Sequence, residues 1–191
     1  MTPEPPESEI ERHFPNLRVN DYKVTSPETP AYNCIAWAAE DQDSFWWPDK
    51  EGVGFWPDGV RRTETAEAFI EAFRTLGYET CSGPDLEPEY RKVAIFFHRL
   101  LDKPTHAARQ CADGSWTSKL GDAQDIEHRS LKAVSGTIYG DPKVFLRRPI
   151  RRDSERRVLA EAPSVPIRLK VGRREPARTS KPGKGKRRSG P

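Results

Sequence analysis

From residue 147 to residue 191 the chain contains no Trp, Tyr, Phe, Met or Cys, and it holds 16 Lys/Arg against 4 Asp/Glu. A segment of that composition has too little apolar surface to offset the entropy lost on ordering. Whatever core this protein builds must therefore come from upstream. Residues 1–146 hold 16 Lys/Arg and 25 Asp/Glu, so an acidic body of net charge −9 precedes a basic end of net charge +12. The first seven residues, Met1 to Glu7, are acidic and proline-rich. The composition predicts a flexible leader over residues 1–7, one folded domain over residues 8–148, and a disordered basic tail over residues 149–191.

Several classes are excluded. No run approaches the ~18 apolar residues of a membrane span. No basic start followed by an apolar segment marks a secretory signal. Cys34, Cys81 and Cys111 form no CxxC pair, so neither a disulfide framework nor a structural zinc site is expected. No glycine-rich phosphate loop sits between a strand and a helix. The expectation is a soluble, cytoplasmic, reduced protein without a metal or cofactor.

The apolar spacing divides the body into a helical half and a strand half. Ser8 can cap a short helix over Glu9–His13, ended by Pro15. A strand is expected at Tyr22–Thr25. Residues 32–40, YNCIAWAAE, read as a buried helix starting near Asn33. Trp46, Trp47 and Trp56 fall in the glycine- and proline-rich stretch 45–60, which reads as an ordered aromatic loop. Thr63 to Leu76 has apolar residues on one helical face and Gly77 as a stop. Strands follow at Lys92–Arg99, Thr105–Cys111 and Ser115–Leu120, the last two joined at Asp113-Gly114. Residues 126–133 read as a short helix, and Lys143–Arg147 as a last strand. The predicted class is α+β, with helices on one side of a small antiparallel sheet of three or four strands.

Cys34 is the candidate nucleophile. At a helix start, free N–H groups favour a thiolate and can hold an acyl oxyanion, with Asn33 adding a donor. Cysteine is also a common small core residue. Thiol catalysis needs a base brought close in space, and His106, at the head of a strand after Pro104-Thr105, has that setting. His13 reads as a surface residue.

The motifs YNCIAWA (32–38), WWP (46–48), FWP (55–57), LGY (76–78), KVAIF (92–96), PTHAARQ (104–110), WTSKLG (116–121) and DIEH (125–128) resemble an uncharacterised bacterial domain family across residues 8–149. That resemblance implies no activity. The layout also resembles papain-like cysteine peptidases, including CHAP amidases and bacteriocin-processing peptidases. There a Cys opens a helix, a His starts a later strand, and a polar residue follows on or after the next strand. The resemblance implies a papain-like arrangement with Cys34 and His106 in the first two roles.

The third role depends on register. A two-residue Asp113-Gly114 turn pairs Ala112 with Ser115, sets His106 opposite Gly121 and puts Lys119 on its face diagonally. Asp122 then follows the strand end, where the bacteriocin-processing peptidases carry an Asp. A three-residue loop shifts the register by one and brings Ser118 to that face. Asp125 and His128 are further candidates. Lys119 departs from the papain-like pattern, because a cation beside the base opposes its protonation.

Two functions follow. One is a thiol hydrolase or acyl/peptidyl transferase acting on an amide, ester or isopeptide bond of a peptide or protein, with Trp46, Trp47 and Trp56 rimming the substrate. The other is a non-catalytic protein-interaction module. In either, the basic tail attracts nucleic acid or another polyanion weakly and without sequence preference. For the tryptophans, packing as core lids is the more common role.

Overall fold

The structure is a computed structural model and describes residues 8–150. The expectations for the leader and the tail lie outside these residues. Its centre is a seven-stranded antiparallel sheet in the order β1-β6-β5-β4-β3-β7-β2. The strands are β1 (Tyr22–Val24), β2 (Glu79–Thr80), β3 (Tyr90–Phe97), β4 (Pro104–Gln110), β5 (Trp116–Lys119), β6 (Asp125–His128) and β7 (Asp141–Pro149). The two edge strands are three and two residues long, which limits the unpaired backbone offered to another chain.

Both faces of β3 are apolar, so both need cover. Val93, Ile95 and Phe97 point into one core together with Ile35, Phe69 and Phe73. Those partners come from α2 (Cys34–Ala38) and α3 (Ala66–Arg74). Ala94 and Phe96 point the other way, toward Phe14, Leu17 and Tyr139. That second layer is built by the segment after α1 (Glu9–His13) and by 3-10 turns at Pro15–Val19 and Leu131–Ala133. Helical elements therefore cover both sides of the sheet, where the sequence reading expected one.

Local chemistry sets the boundaries. Ser8 caps α1 in a reciprocal arrangement with Glu11. α3 starts later than expected, because Thr65 rather than Thr63 accepts the Ala68 amide. Glu64 stays outside the helix, bonded to Lys103 and the Trp47 indole. Residues 125–128 form a strand, not a helix, because their amides and carbonyls are drawn into pairing with both β1 and β5. The residues 79–89 loop contains the unforeseen edge strand β2, held on β7.

The β4–β5 connection decides the register. The Cys111 amide donates to the Ser115 carbonyl at 2.8 Å, and Gly114 takes φ +89°. The loop is thus three residues long, and Ala108 stands opposite Ser118. The two-residue turn and its His106–Gly121 pairing are replaced by the shifted register.

Before β7 the chain turns at Gly136 and Gly140, whose backbones bond each other in both directions at 2.9 and 2.7 Å. Gly140 has φ +70°, and a Cβ there would lie 1.8 Å from the Phe97 carbonyl oxygen. Gly140→Ala is expected to cost about 3 kcal/mol or more, measured as a lower urea midpoint with an unchanged slope.

Candidate active site

Cys34 is the first residue of α2, and Asn33 is its cap. The cap does two jobs. Asn33 Oδ1 accepts the amides of Ala36 (3.1 Å) and Trp46 (3.3 Å), while Nδ2 donates to the Trp46 carbonyl (2.8 Å). This binds the aromatic loop to the helix start. It also commits one of the two protons of the amide expected to hold an oxyanion, so Asn33 serves first as the helix cap and the anchor of the loop.

α2 is little more than one turn long, so individual amides matter more at the sulfur than a macrodipole. The amides of Ala107, Ile35 and Cys34 itself favour the thiolate, as does the Lys119 charge. Burial outweighs them and pushes the Cys34 thiol up to about 11. Only 7% of the residue is exposed.

The Ala107 amide reaches the sulfur because the sheet opens there. Cys111 bonds across to Ser115, so the odd-numbered amides of β4 face β5. The β4–β5 ladder spans Ala108–Gln110 against Trp116–Ser118. Ala107 lies just beyond its end, and its amide serves Cys34.

His106 is fully buried and its ring belongs to the second layer, stacked on Tyr139 at 4.0 Å and edge-on to Phe96 at 5.2 Å. Cys34 packs in the first layer with Ala107. The structure thus sets the thiol and the imidazole on opposite faces of the sheet, with Cys34 within electrostatic reach of the Tyr139 hydroxyl, which also takes the Gly121 amide.

The hydrogen bonds around His106 fix its tautomer. His128 Nδ1 lies 2.8 Å from the Ser130 carbonyl, an acceptor only, so Nδ1 carries the proton. His128 Nε2 is then an acceptor and takes the Ser118 hydroxyl proton at 2.9 Å. Ser118 Oγ in turn accepts from His106 Nε2 at 3.0 Å. His106 Nδ1 is left as a bare lone pair, buried and without a partner. Burial and the neighbouring His128 push His106 well below its usual value, and burial brings His128 down to about 4.

The other expected groups lie elsewhere. Asp122 is exposed on the turn after β5. Asp125 is buried on β6, opposite Lys119, and accepts the Tyr32 hydroxyl at 2.6 Å. Burial and that carboxylate push Tyr32 up to about 12. Neither Asp bonds His106; Ser118 does. Lys119 is fully buried, donates to the Ala123 carbonyl and lies 5.3 Å above the Tyr32 ring. Burial lowers its pKa, while Asp125, Asp122, Cys34 and Glu28 oppose that shift.

Trp46 and Trp56 are each only 4% exposed, and Trp56 packs on Phe69 at 5.0 Å. The Trp47 indole meets the Phe69 edge at 5.7 Å. Trp46 and Trp56 are buried in the first core, and the half-buried Trp47 packs against it. Sequence reasoning missed Tyr139; the only trace was its place beside the paired glycines 136 and 140.

Among the described residues, no group of three or more His, Cys, Asp or Glu is placed to hold a metal ion, and no helix is long and apolar enough to cross a membrane. The chain belongs to the family described as a domain of unknown function (DUF7689), which matches residues 23–147. No curated protein and no solved structure matches it.

The two buried neutral histidines couple stability to pH. Their folded pKa values lie below the unfolded value, so the unfolded chain binds more protons as pH falls. Stability is full above about pH 6.5 and declines toward pH 4, with His128 alone accounting for roughly 3 kcal/mol. Urea unfolding across this window should show that loss, and His128→Gln should flatten its slope.

Proposed function

Within a family of unassigned activity, we propose that Cys34 is the nucleophile of a thiol hydrolase or acyl transferase and that His106 is its base. The observation that supports this most is the unpartnered lone pair on His106 Nδ1, in the residue next to the amide that serves the thiol. The chain through Ser118 to His128 fixes the tautomer that leaves Nδ1 able to accept a proton. Cys on a helix, His on a strand and a polar partner on the next strand, here α2, β4 and β5, follow the element order that the papain-like resemblance implies.

In the proposed reaction His106 Nδ1 takes the Cys34 thiol proton as sulfur bonds to the acyl carbon. Collapse of the adduct breaks the bond to the leaving amine or alcohol, which receives that proton. Water or an acceptor amine then releases the acyl group. Ser118 and His128 position the ring, and the Cys34 and Ala107 amides remain donors for developing negative charge. Burial outweighs the Lys119 charge at the sulfur and holds the ring unprotonated, so the resting pair is a neutral thiol and a neutral ring. Ionisation then accompanies substrate entry and displacement of Tyr139.

A second reading rests on burial: a thiol 7% exposed and raised to about 11 suits a structural residue. It makes the domain a non-catalytic interaction module. The basic tail, with its proposed attraction to polyanions, lies outside the described residues in either case.

Incubation with p-nitrophenyl acetate separates the two. The thiol enzyme releases p-nitrophenolate and carries one acetyl group on Cys34 by mass spectrometry. His106→Ala should slow that acylation about a hundredfold or more. Acetylation confined to Cys81 and Cys111 would sink the catalytic reading.

A further inference from the structure

A cavity of about 510 Å³ adjoins the candidate site on the far side of Tyr139. Its apolar wall includes Leu120, Ile138 and Tyr139, and its rim carries the carboxylates of Glu9, Glu28 and Asp122. Among the described residues none of the three forms an ion pair; Glu28 accepts a hydrogen bond from the neutral Gln124 amide at 2.9 Å. His13 also lines the cavity, with Nδ1 turned back to the Glu9 carbonyl at 3.0 Å.

Neither Cys34 nor His106 lines this cavity, and Tyr139 is what joins it to the imidazole. Tyr139 lines it with one side and stacks on His106 with the other, at 4.0 Å. Behind that ring lies the unpartnered His106 Nδ1. Lys119 is within electrostatic reach of Cys34 and of two of the three rim carboxylates, Asp122 and Glu28. Lys119 itself is enclosed and bonded to the Ala123 carbonyl, so it presents no exposed cation to the cavity.

We propose that this cavity is the substrate-binding cleft of the Cys34 site and that it selects substrates carrying positive charge beside an apolar segment, as in a lysine- or arginine-containing peptide. The inference rests on the thiol reading above. A rim of carboxylates raises the local concentration of cations and repels anions. An apolar wall buries the segment next to the charge. A negatively charged acyl donor is the class this cleft rejects.

The test uses three methanethiosulfonate reagents on the full chain: cationic 2-aminoethyl, neutral methyl and anionic 2-sulfonatoethyl. In each, the Cys34 sulfur displaces methanesulfinate and forms a mixed disulfide, while the thiol proton passes to His106 and then to solvent. Rates at Cys34 are read by peptide mass spectrometry. The cationic reagent should react roughly tenfold faster than the anionic one at low salt. The preference should fade at about 0.5 M salt. A Glu28→Gln, Asp122→Asn double variant should lose most of it while unfolding at the same temperature, since both side chains lie at the surface.

Equal rates for the three reagents, or a preference unchanged in the double variant, overturn the charge selection and leave the thiol reading standing. A Cys34 inert to all three, while Cys81 and Cys111 react, overturns both.

Discussion

The organising constraint is a strand with no polar face. Val93, Ile95 and Phe97 demand cover on one side, Ala94 and Phe96 on the other. One layer of helices cannot meet both demands. The chain meets them with α2, α3 and the aromatic loop on one side, and with the N-terminal turns and the Tyr139 segment on the other. β3 keeps its two neighbours, β4 and β7, paired along most of its length. A register shift beside Phe96 interrupts each of those pairings, and the opening between β4 and β5 is a further departure from regular pairing.

That opening gives the candidate site its form. In a closed sheet a residue under one face has no route to a residue under the other. Here the Ala107 amide turns to the sulfur, and the Tyr139 hydroxyl and the thiol come within electrostatic reach. Enclosure keeps both titrating groups neutral. It also makes the ionised pair costly until something else excludes water and supplies compensating contacts. The proposed chemistry therefore couples substrate entry to movement of an aromatic ring that lies 4.0 Å from the imidazole.

Much of this was legible in the residues themselves. Ser8, Asn33 and the glycine after Leu76 marked helix ends, and the apolar run at 92–97 marked the central strand. What escaped was set by partners distant in sequence. Residues 125–128 carry no strong strand pattern and become one through β1 and β5. Packing as core lids describes Trp46 and Trp56, while Trp47 stays half-buried against them. The third member of the site turned on one residue of loop length. With Gly114 at positive φ the loop holds three residues, and Ser118 takes the place that a two-residue turn would have given to another side chain. Tyr139 could not be found locally, because its role comes from a ring 33 residues away in the chain.

Asn33 narrows what the helix start can tolerate. Ser, Thr and Asp are ordinarily good replacements at a cap. Here the residue must accept from two amides and also donate to the Trp46 carbonyl. Asp has no proton to give and would place a negative charge beside the thiol; Ser and Thr are too short to span both the helix and the loop. A position that elsewhere accepts four residue types is left with one, so its chemistry ties the identity of a single side chain to the joint folding of the helix and the aromatic loop.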